Sequence, residues 1–527
     1  MNDKIIVTNL GALKKKYGAN SLAKIRAAIK ALISADKARG LQTRLIALDR
    51  ASDMKKVHGS RVSAADNCRQ NKRAIDAIYA TLRPDYLLIL GAIDVVPHQD
   101  LINPAFGGDD VDQYACGDIP YACEQPYGQQ ADKFIGPTRV VGRLPDVTGG
   151  TDPAYLVGLL ETATLWKSLT QQDYSDYFAI SAAVWKDSTT LSVQKVFGSS
   201  KNLNLSPPRG PKWTDATLAR RSHFINCHGG QADPQFYGQK GNQYPIAHKA
   251  ALVAGKITEG TLAAIECCYG GELYDPNLLV PVQAGMCNTY LAGKAYGFFA
   301  SSTIAYGPAK GNGSADLLCQ YFLRRVLAGA SIGRAALEAR QEFAQTGPDL
   351  DPFDIKTLAQ FSLFGDPSIQ PIAAPTPHTA VATAKLRGAP RAGADQDNFA
   401  GTVARGERRK QLLAKGMFIR ANQRVASRTP HARVPSSVLA TLRRLARKSN
   451  MRTPKILSFR IVGGGTPAGA HAKKAFAVAK AKLPEAGAYY VAMTAKKLPN
   501  IPGPQITAVI AKEFDGKLVS YRELHSR

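Results

Sequence analysis

The sequence predicts an α/β protein, with a mostly parallel sheet sandwiched by helices, followed by a small basic α+β domain. Three observations predict it. Short, near-continuous apolar runs alternate with stretches of helical spacing along the N-terminal part, which is the pattern of parallel strands covered on both faces. An Ala/Pro/Thr-rich segment without periodicity, residues 373–401, then interrupts the pattern and reads as a linker. Beyond it the charge changes. Residues 376–527 hold 29 Lys and Arg against 7 Asp and Glu, a net +22 that leaves only +5 of the chain's +27 to the first 375 residues. The expected organisation is residues 1–372 as the α/β domain, 373–401 as the linker and 402–527 as the basic domain.

The elements follow in order. Lys4–Asn9 is a short apolar strand, and Ser21–Ala35 has helical spacing at Leu22, Ile25, Ala28, Ile29 and Leu32. Arg44–Leu48 is a strand, Lys72–Leu82 a helix and Tyr86–Leu90 a strand. Residues 97–137, rich in Gly, Asp, Tyr and Pro, form an irregular stretch long enough to be a rim or binding loop. Strands resume at Thr138–Gly142, Tyr177–Val184, His223–Asn226, Leu262–Glu266 and Gly297–Ser302. Helices fit Tyr155–Ser168, Ala315–Ala328 and Ile332–Ala344, and Phe361–Ile372 closes the domain. After the linker, Glu407–Lys448 reads as a very basic helical stretch. Strand Lys455–Val462, helix Ala470–Leu483 and strand Tyr489–Thr494 come next. Ile506–Glu513 and Leu518–Glu523 flank Asp515-Gly516, a hairpin turn signal.

Composition excludes several classes. An apolar fraction of 45% and a charged fraction of 21% suit a globular protein rather than a disordered one. The first residues lack the charge order and apolar length of a secretory signal, and no apolar run approaches the roughly 18 residues of a membrane span. A cytoplasmic protein with no membrane partner is expected. The eight cysteines include no CxxC pair, so free thiols are expected, with no metal and no cofactor.

Two segments carry chemistry. His223-Phe-Ile-Asn226-Cys227-His228-Gly229-Gly230 is an apolar run ending in His-Gly-Gly. Leu262-Ala-Ala-Ile-Glu266-Cys267-Cys268-Tyr269-Gly270-Gly271 is an apolar run ending in Cys and two glycines. In a parallel sheet, chemistry sits outside the carboxyl ends of the strands, so neighbouring strands of this kind would project His and Cys into one crevice. A thiolate is intrinsically nucleophilic, so a Cys/His pair suffices for acyl transfer. His228 would transfer the protons, and the N–H groups of Gly229 and Cys268 are the natural oxyanion donors. Adjacent strand residues face opposite sides, so only one of Cys267 and Cys268 can enter the crevice. Cys227, His228, Cys267 and Cys268 also form a weaker metal-ligand set, because zinc sites favour spaced pairs.

These blocks resemble the caspase, legumain and gingipain peptidases, and the gingipain-like cysteine peptidase family most of all. Tyr86–Pro97 resembles the family's strand followed by Asp-x-x-Pro, Val111-Asp-Gln-Tyr114 its Asp-Gln-x-Tyr loop, and Val141-Gly-Arg-Leu-Pro145 its Gly-Arg strand end. Phe299–Thr303 resembles the strand after the nucleophile, and Ser362–Ser368 the closing Gly-Asp-Pro-Ser motif. The resemblance implies a caspase-like fold over residues 1–372 and a cysteine endopeptidase acting through an acyl-thioenzyme. It lays Cys268 on the nucleophile, Gly271 on the following glycine and His228 on its partner. Glu266 and Asn226, beside this dyad, are candidates for orienting it or binding substrate. An acidic residue after the strand Tyr177–Val184 shapes the arginine pocket of some members. Here that segment holds Asp187, from which arginine or lysine specificity does not follow.

Asp109, Asp110, Asp112 and Asp118 crowd the long loop. A solvated loop is the ordinary fate of such a run; Asp112 would alternatively help wall a substrate cleft. Lys385, Arg387 and Arg391 make the linker a candidate for self-cleavage, and the basic domain a candidate regulator. That domain's charge also suits nucleic acid or an acidic protein partner, though aromatic residues among its basic ones are sparse. The rival to a peptidase acting on protein or peptide is a non-catalytic scaffold with the same fold, using this basic tail for binding.

Overall fold

The apolar runs of the first part assemble into one ten-stranded sheet. The computed structural model describes residues 3–373, 402–430, 434–463, 487–498 and 501–527. The linker 374–401 and the helix expected at Ala470–Leu483 lie outside them. The sheet runs, from one edge, Thr43–Ala47, Lys4–Thr8, Tyr86–Leu90, Val140–Leu144 and Phe361–Phe364. It continues through Gly297–Ser301, Leu262–Ile265, Ser222–Asn226, Tyr177–Ala182 and Leu203–Ser206. Every pairing is parallel except that of Phe361–Phe364 with Gly297–Ser301, where the two parallel blocks meet. Helices cover both faces, consistent with the caspase-like arrangement that the resemblance implies.

Strand alternation feeds two cores. Phe178, Ile180, Ile225, Ala263 and Ile265 face one, with the helices Leu10–Ala38, Cys68–Leu82 and Ala154–Leu165. Tyr177, Ala179, Phe224, Ala264 and Phe299 face the other, with Ala315–Leu327, Ile332–Phe343 and Pro352–Gln360. The first helix begins where Asn9 accepts a hydrogen bond from the Ala12 N–H at 2.9 Å and buries Leu13, Ile25, Ile29 and Leu32. It is longer than the periodicity predicts, and its early part is broken at Gly18, whose φ of 79° only glycine adopts cheaply.

Two of the recurrent motifs serve the frame. Arg143 is clamped by Asp118 and donates to the carbonyls of Gly91 and Val96, fixing the sheet to the loop above it. Asp366 of Gly-Asp-Pro-Ser holds the buried Lys4, which also pairs with Asp36 at 2.9 Å.

Past the linker the chain forms a second sheet. Its core is Arg424–Arg428, Lys455–Val462, Ala488–Lys497, Pro504–Phe514 and Lys517–Ser526, joined antiparallel in that order. The hairpin falls at Asp515-Gly516, both at positive φ as a tight hairpin turn requires. Two short strands from the first 372 residues complete the edges, Tyr306–Gly307 beside Lys517–Ser526 and Asp349–Leu350 beside Arg424–Arg428. The stretch Glu407–Lys448 is not one helix. Thr402–Asn422 and Ser436–Lys448 are helical, and Arg424–Arg428 between them is a strand. Pro430 and Pro435 forbid a continuous helix there. The second helix packs Val438, Leu442 and Leu445 on the sheet. Among the described residues no helix is long and apolar enough to cross a membrane.

Candidate active site

Register decides what the sheet presents. Leu262–Ile265 pairs in parallel with Ser222–Asn226, Ile265 opposite Ile225, and the Glu266 N–H donates to the Ile225 carbonyl at 2.9 Å. The two strands therefore end level, and His228 and Cys268 follow at equivalent steps. Both line one cavity of about 180 Å³, together with Gly229, Tyr269, Ser526 and Arg527. Cys267 faces the opposite core, its thiol against the Ile225 carbonyl, so Cys268 is the cysteine of the crevice.

The chain turns sharply after Cys268. Tyr269 sits at φ 54°, which a non-glycine residue adopts only when its surroundings compel it. Its hydroxyl donates to Asp112 at 2.6 Å and its N–H to the Thr303 carbonyl at 3.0 Å. Asp112 also accepts from the Ile304 N–H at 2.8 Å and from Lys356 at 2.9 Å. It therefore holds the turn that carries the cysteine and does not wall a cleft. The acidic loop as a whole is not solvated. Asp110 pairs with Lys356, Asp118 with Arg143 and Asp109 with Lys455, because the loop folds under cations from distant segments.

His228 lies against the Trp185 ring, centroids 4.4 Å apart, and its Nε2 is 2.8 Å from Gln239 Oε1. The Gln239 amide nitrogen donates to the Gly241 carbonyl and the Tyr244 hydroxyl, which points its oxygen at the imidazole. Nε2 then carries the proton and Nδ1 is free to accept one. Gln239 is a positioning residue that sequence reasoning missed; a lone Gln in a polar loop gives no signal. Burial dominates the electrostatics of the pair. It pushes the Cys268 thiol up to about 12 and the His228 imidazole down to about 4, the nearby Arg527 guanidinium adding to the second shift.

Two backbone N–H groups converge in the crevice. Those of Cys268 and Gly229 both donate to the main-chain oxygen of Arg527, at 3.2 and 3.3 Å. Gly229 must be glycine, since a Cβ there would overlap the Cys268 carbonyl. Glu266 is fully buried beneath the crevice, with its carboxylate 3.9 Å from the Arg527 guanidinium. Asn226 donates to Thr189 at 3.0 Å. Asp187 is exposed on the first turn of the helix Lys186–Phe197, outside the crevice, while its neighbour Ser188 points inward.

No protein-family description matches the chain, and no curated protein is similar to it. Among solved structures, one named only as a protease aligns with 99% of this chain and 96% of its own, at 12% identity and a TM-score of 0.47. Separase in its complex with securin from Saccharomyces cerevisiae aligns with 43% of this chain, at 13% identity and a TM-score of 0.28. That match spans 14% of the separase chain.

Proposed function

We propose that the chain is a cysteine endopeptidase in which Cys268 is the nucleophile and His228 the general acid and base. The observation that carries this reading is the convergence of the Gly229 and Cys268 N–H groups on one main-chain oxygen, beside the Cys268 thiol and the His228 imidazole. Donors so placed stabilise the oxyanion of a tetrahedral intermediate, an effect worth roughly 3–4 kcal/mol per donor in the enzymes where it has been dissected.

The chemistry follows from the placement. His228 accepts the Cys268 proton, and sulfur attacks the peptide carbonyl carbon, whose oxygen moves into the two N–H groups. The intermediate collapses, the C–N bond breaks, and His228 returns the proton to the departing amine. Water, deprotonated by His228, then cleaves the thioester, releasing the acid and restoring the thiol. Gln239 holds the imidazole in the tautomer this sequence needs.

The test compares the full chain with its Arg527→Ala, His228→Ala and Cys268→Ala variants. Alkylation by iodoacetamide is mapped by mass spectrometry, and turnover is followed on denatured casein. Cys268 is expected to react faster than Cys68 in the Arg527→Ala chain, and a second change, His228→Ala, is expected to remove that advantage. Cys268→Ala should abolish turnover. Equal reactivity of Cys268 and Cys68 in every form overturns the reading.

A further inference from the structure

The oxygen in the oxyanion site belongs to the chain itself. Ser526 and His525 pair antiparallel with Tyr306 and Gly307, and the Arg527 N–H donates to the Ala305 carbonyl at 3.0 Å. The main-chain oxygen of Arg527 itself lies between the two N–H groups. An extended segment on a sheet edge, with one carbonyl in the oxyanion donors, is how the acyl half of a peptide substrate lies in a cysteine peptidase.

The side chain completes the picture. Arg527 is 1% exposed, and its guanidinium lies 4.4 Å from the Trp185 ring centroid. Nη2 donates to Asp316 at 2.8 Å and to the Pro308 carbonyl at 3.0 Å. Burial and the neighbouring Asp316 push the Glu266 carboxyl well above its usual range, and Asp316 is the nearer of the two carboxyl groups to the guanidinium. A Cβ on Gly307 would strike the guanidinium, so the floor of the pocket is open only because that residue is glycine. Trp185, Glu266, Gly307 and Asp316 all come from the first 372 residues, and Gly307 lies on the short strand that pairs with the one leading to Arg527. The flat face of Trp185 and the directed acceptors suit a planar guanidinium better than the compact ammonium of lysine.

We propose that Arg527 is docked in cis as the residue on the acyl side of a scissile bond, so that the C-terminal strand blocks a pocket which takes the arginine side chain of a substrate. The proposal rests on the peptidase reading above and deepens it. The dyad is correspondingly shut in: Cys268 is 4% exposed and His228 2%. Leu498, Ile501 and Pro502 close the remaining side, with Leu498 and Ile501 packed on Tyr237.

The experiment measures cleavage of matched fluorogenic peptidyl-arginyl, -lysyl and -leucyl amides by the full chain, by Arg527→Ala and by Arg527→Ala/Asp316→Asn. Arg527→Ala is expected to cleave the arginyl amide at least tenfold faster than the full chain does, and to prefer it over the lysyl and leucyl amides. Asp316→Asn is expected to remove the preference. A synthetic peptide with the sequence of Arg522–Arg527, added in trans, should inhibit Arg527→Ala, and the same peptide ending in alanine should not. If Arg527→Ala fails to fold, alkylation of the full chain by peptidyl-arginyl and peptidyl-leucyl chloromethyl ketones decides, with the arginyl reagent expected to modify Cys268 faster. His228-dependent reactivity of Cys268 that is unchanged by Arg527→Ala, or that comes without preference for arginine, overturns the docking proposal while leaving the peptidase standing. Absence of any His228-dependent reactivity overturns the peptidase reading itself.

Discussion

Lys356 and Arg527 are both buried cations close to the Cys268 crevice, and their surroundings are built on different logic. Lys356 extends from the helix Pro352–Gln360 to two carboxylates of the loop below, Asp110 at 2.6 Å and Asp112 at 2.9 Å. Asp110 also accepts from Tyr306 and Asp112 from Tyr269 and Ile304, so the cluster is charge-matched and saturated with hydrogen bonds. Arg527 has one close carboxylate, and its Nε and Nη1 have no hydrogen-bond partner among the described residues. The second carboxylate near it, Glu266, stands 3.9 Å from its Nε. A saturated buried cluster is architecture. An under-satisfied pocket with an aromatic wall and a glycine floor, filled by the end of a strand, suits an occupant that comes and goes.

The sharpest way to break that contrast is to remove each cation. Lys356→Met would strand two buried carboxylates under the turn that follows Cys268, and breaking a buried pair in this way costs about 3–5 kcal/mol. Arg527→Ala would instead let the strand end withdraw and water reach Asp316. The expected loss is then no more than about 2 kcal/mol, the lower range for leaving a buried polar group unsatisfied. Urea unfolding of both variants measures the difference. A larger loss for Arg527→Ala than for Lys356→Met would make the arginine pocket a structural clamp.

That contrast also marks where sequence stops being informative. The strands leading to His228 and Cys268 were legible because apolar runs stopped by glycines leave few alternatives to parallel strands with His and Cys just beyond their carboxyl ends. Strand alternation lets only one of Cys267 and Cys268 into the crevice, the resemblance points to Cys268, and the structure puts the two on opposite faces. The roles of the acids were not legible. Asp110, Asp112 and Asp118 pair with Lys356 and Arg143, residues 25 to 246 positions away, and no local pattern encodes such closures. Glu266 was picked out for its neighbour, yet it sits beneath the Arg527 guanidinium rather than on the imidazole. Asp316 looks like an ordinary acid in the first turn of a helix until Arg527 is folded onto it. The short strand Tyr306–Gly307 matters only because a segment more than two hundred residues later pairs with it.

Gly307 offers a finer cut, since it separates release of the strand from use of the pocket. Its φ is not positive, so Gly307→Ala places no strain on the backbone and acts only by occupying the space of the guanidinium. Arg527 should lose its seat and iodoacetamide should alkylate Cys268 faster, as in Arg527→Ala. Unlike Arg527→Ala, the variant should cleave the arginyl amide about a hundredfold more slowly than the leucyl one, since an overlapping side chain costs a few kcal/mol. Retained arginyl preference would place the substrate's side chain elsewhere.

The smallest expected effect is a change in the shape of a pH profile. In the docked state the Cys268 thiol is pushed up to about 12, chiefly by burial, and His228 down to about 4. At any pH between those values both groups are neutral and thiolate is scarce. Its amount, and with it the alkylation rate of the full chain, should rise about tenfold per pH unit from 7 to 10 without reaching a plateau. Withdrawal of the C-terminal strand rehydrates the pair and lets the thiolate and imidazolium stabilise each other, which lowers the thiol and raises the imidazole. Arg527→Ala should therefore reach its plateau at a pH well below 10, with the ratio between the two chains largest near neutrality and shrinking as pH rises. Parallel profiles with a constant ratio would mean that the strand obstructs the reagent sterically and leaves the ionisation of the dyad untouched.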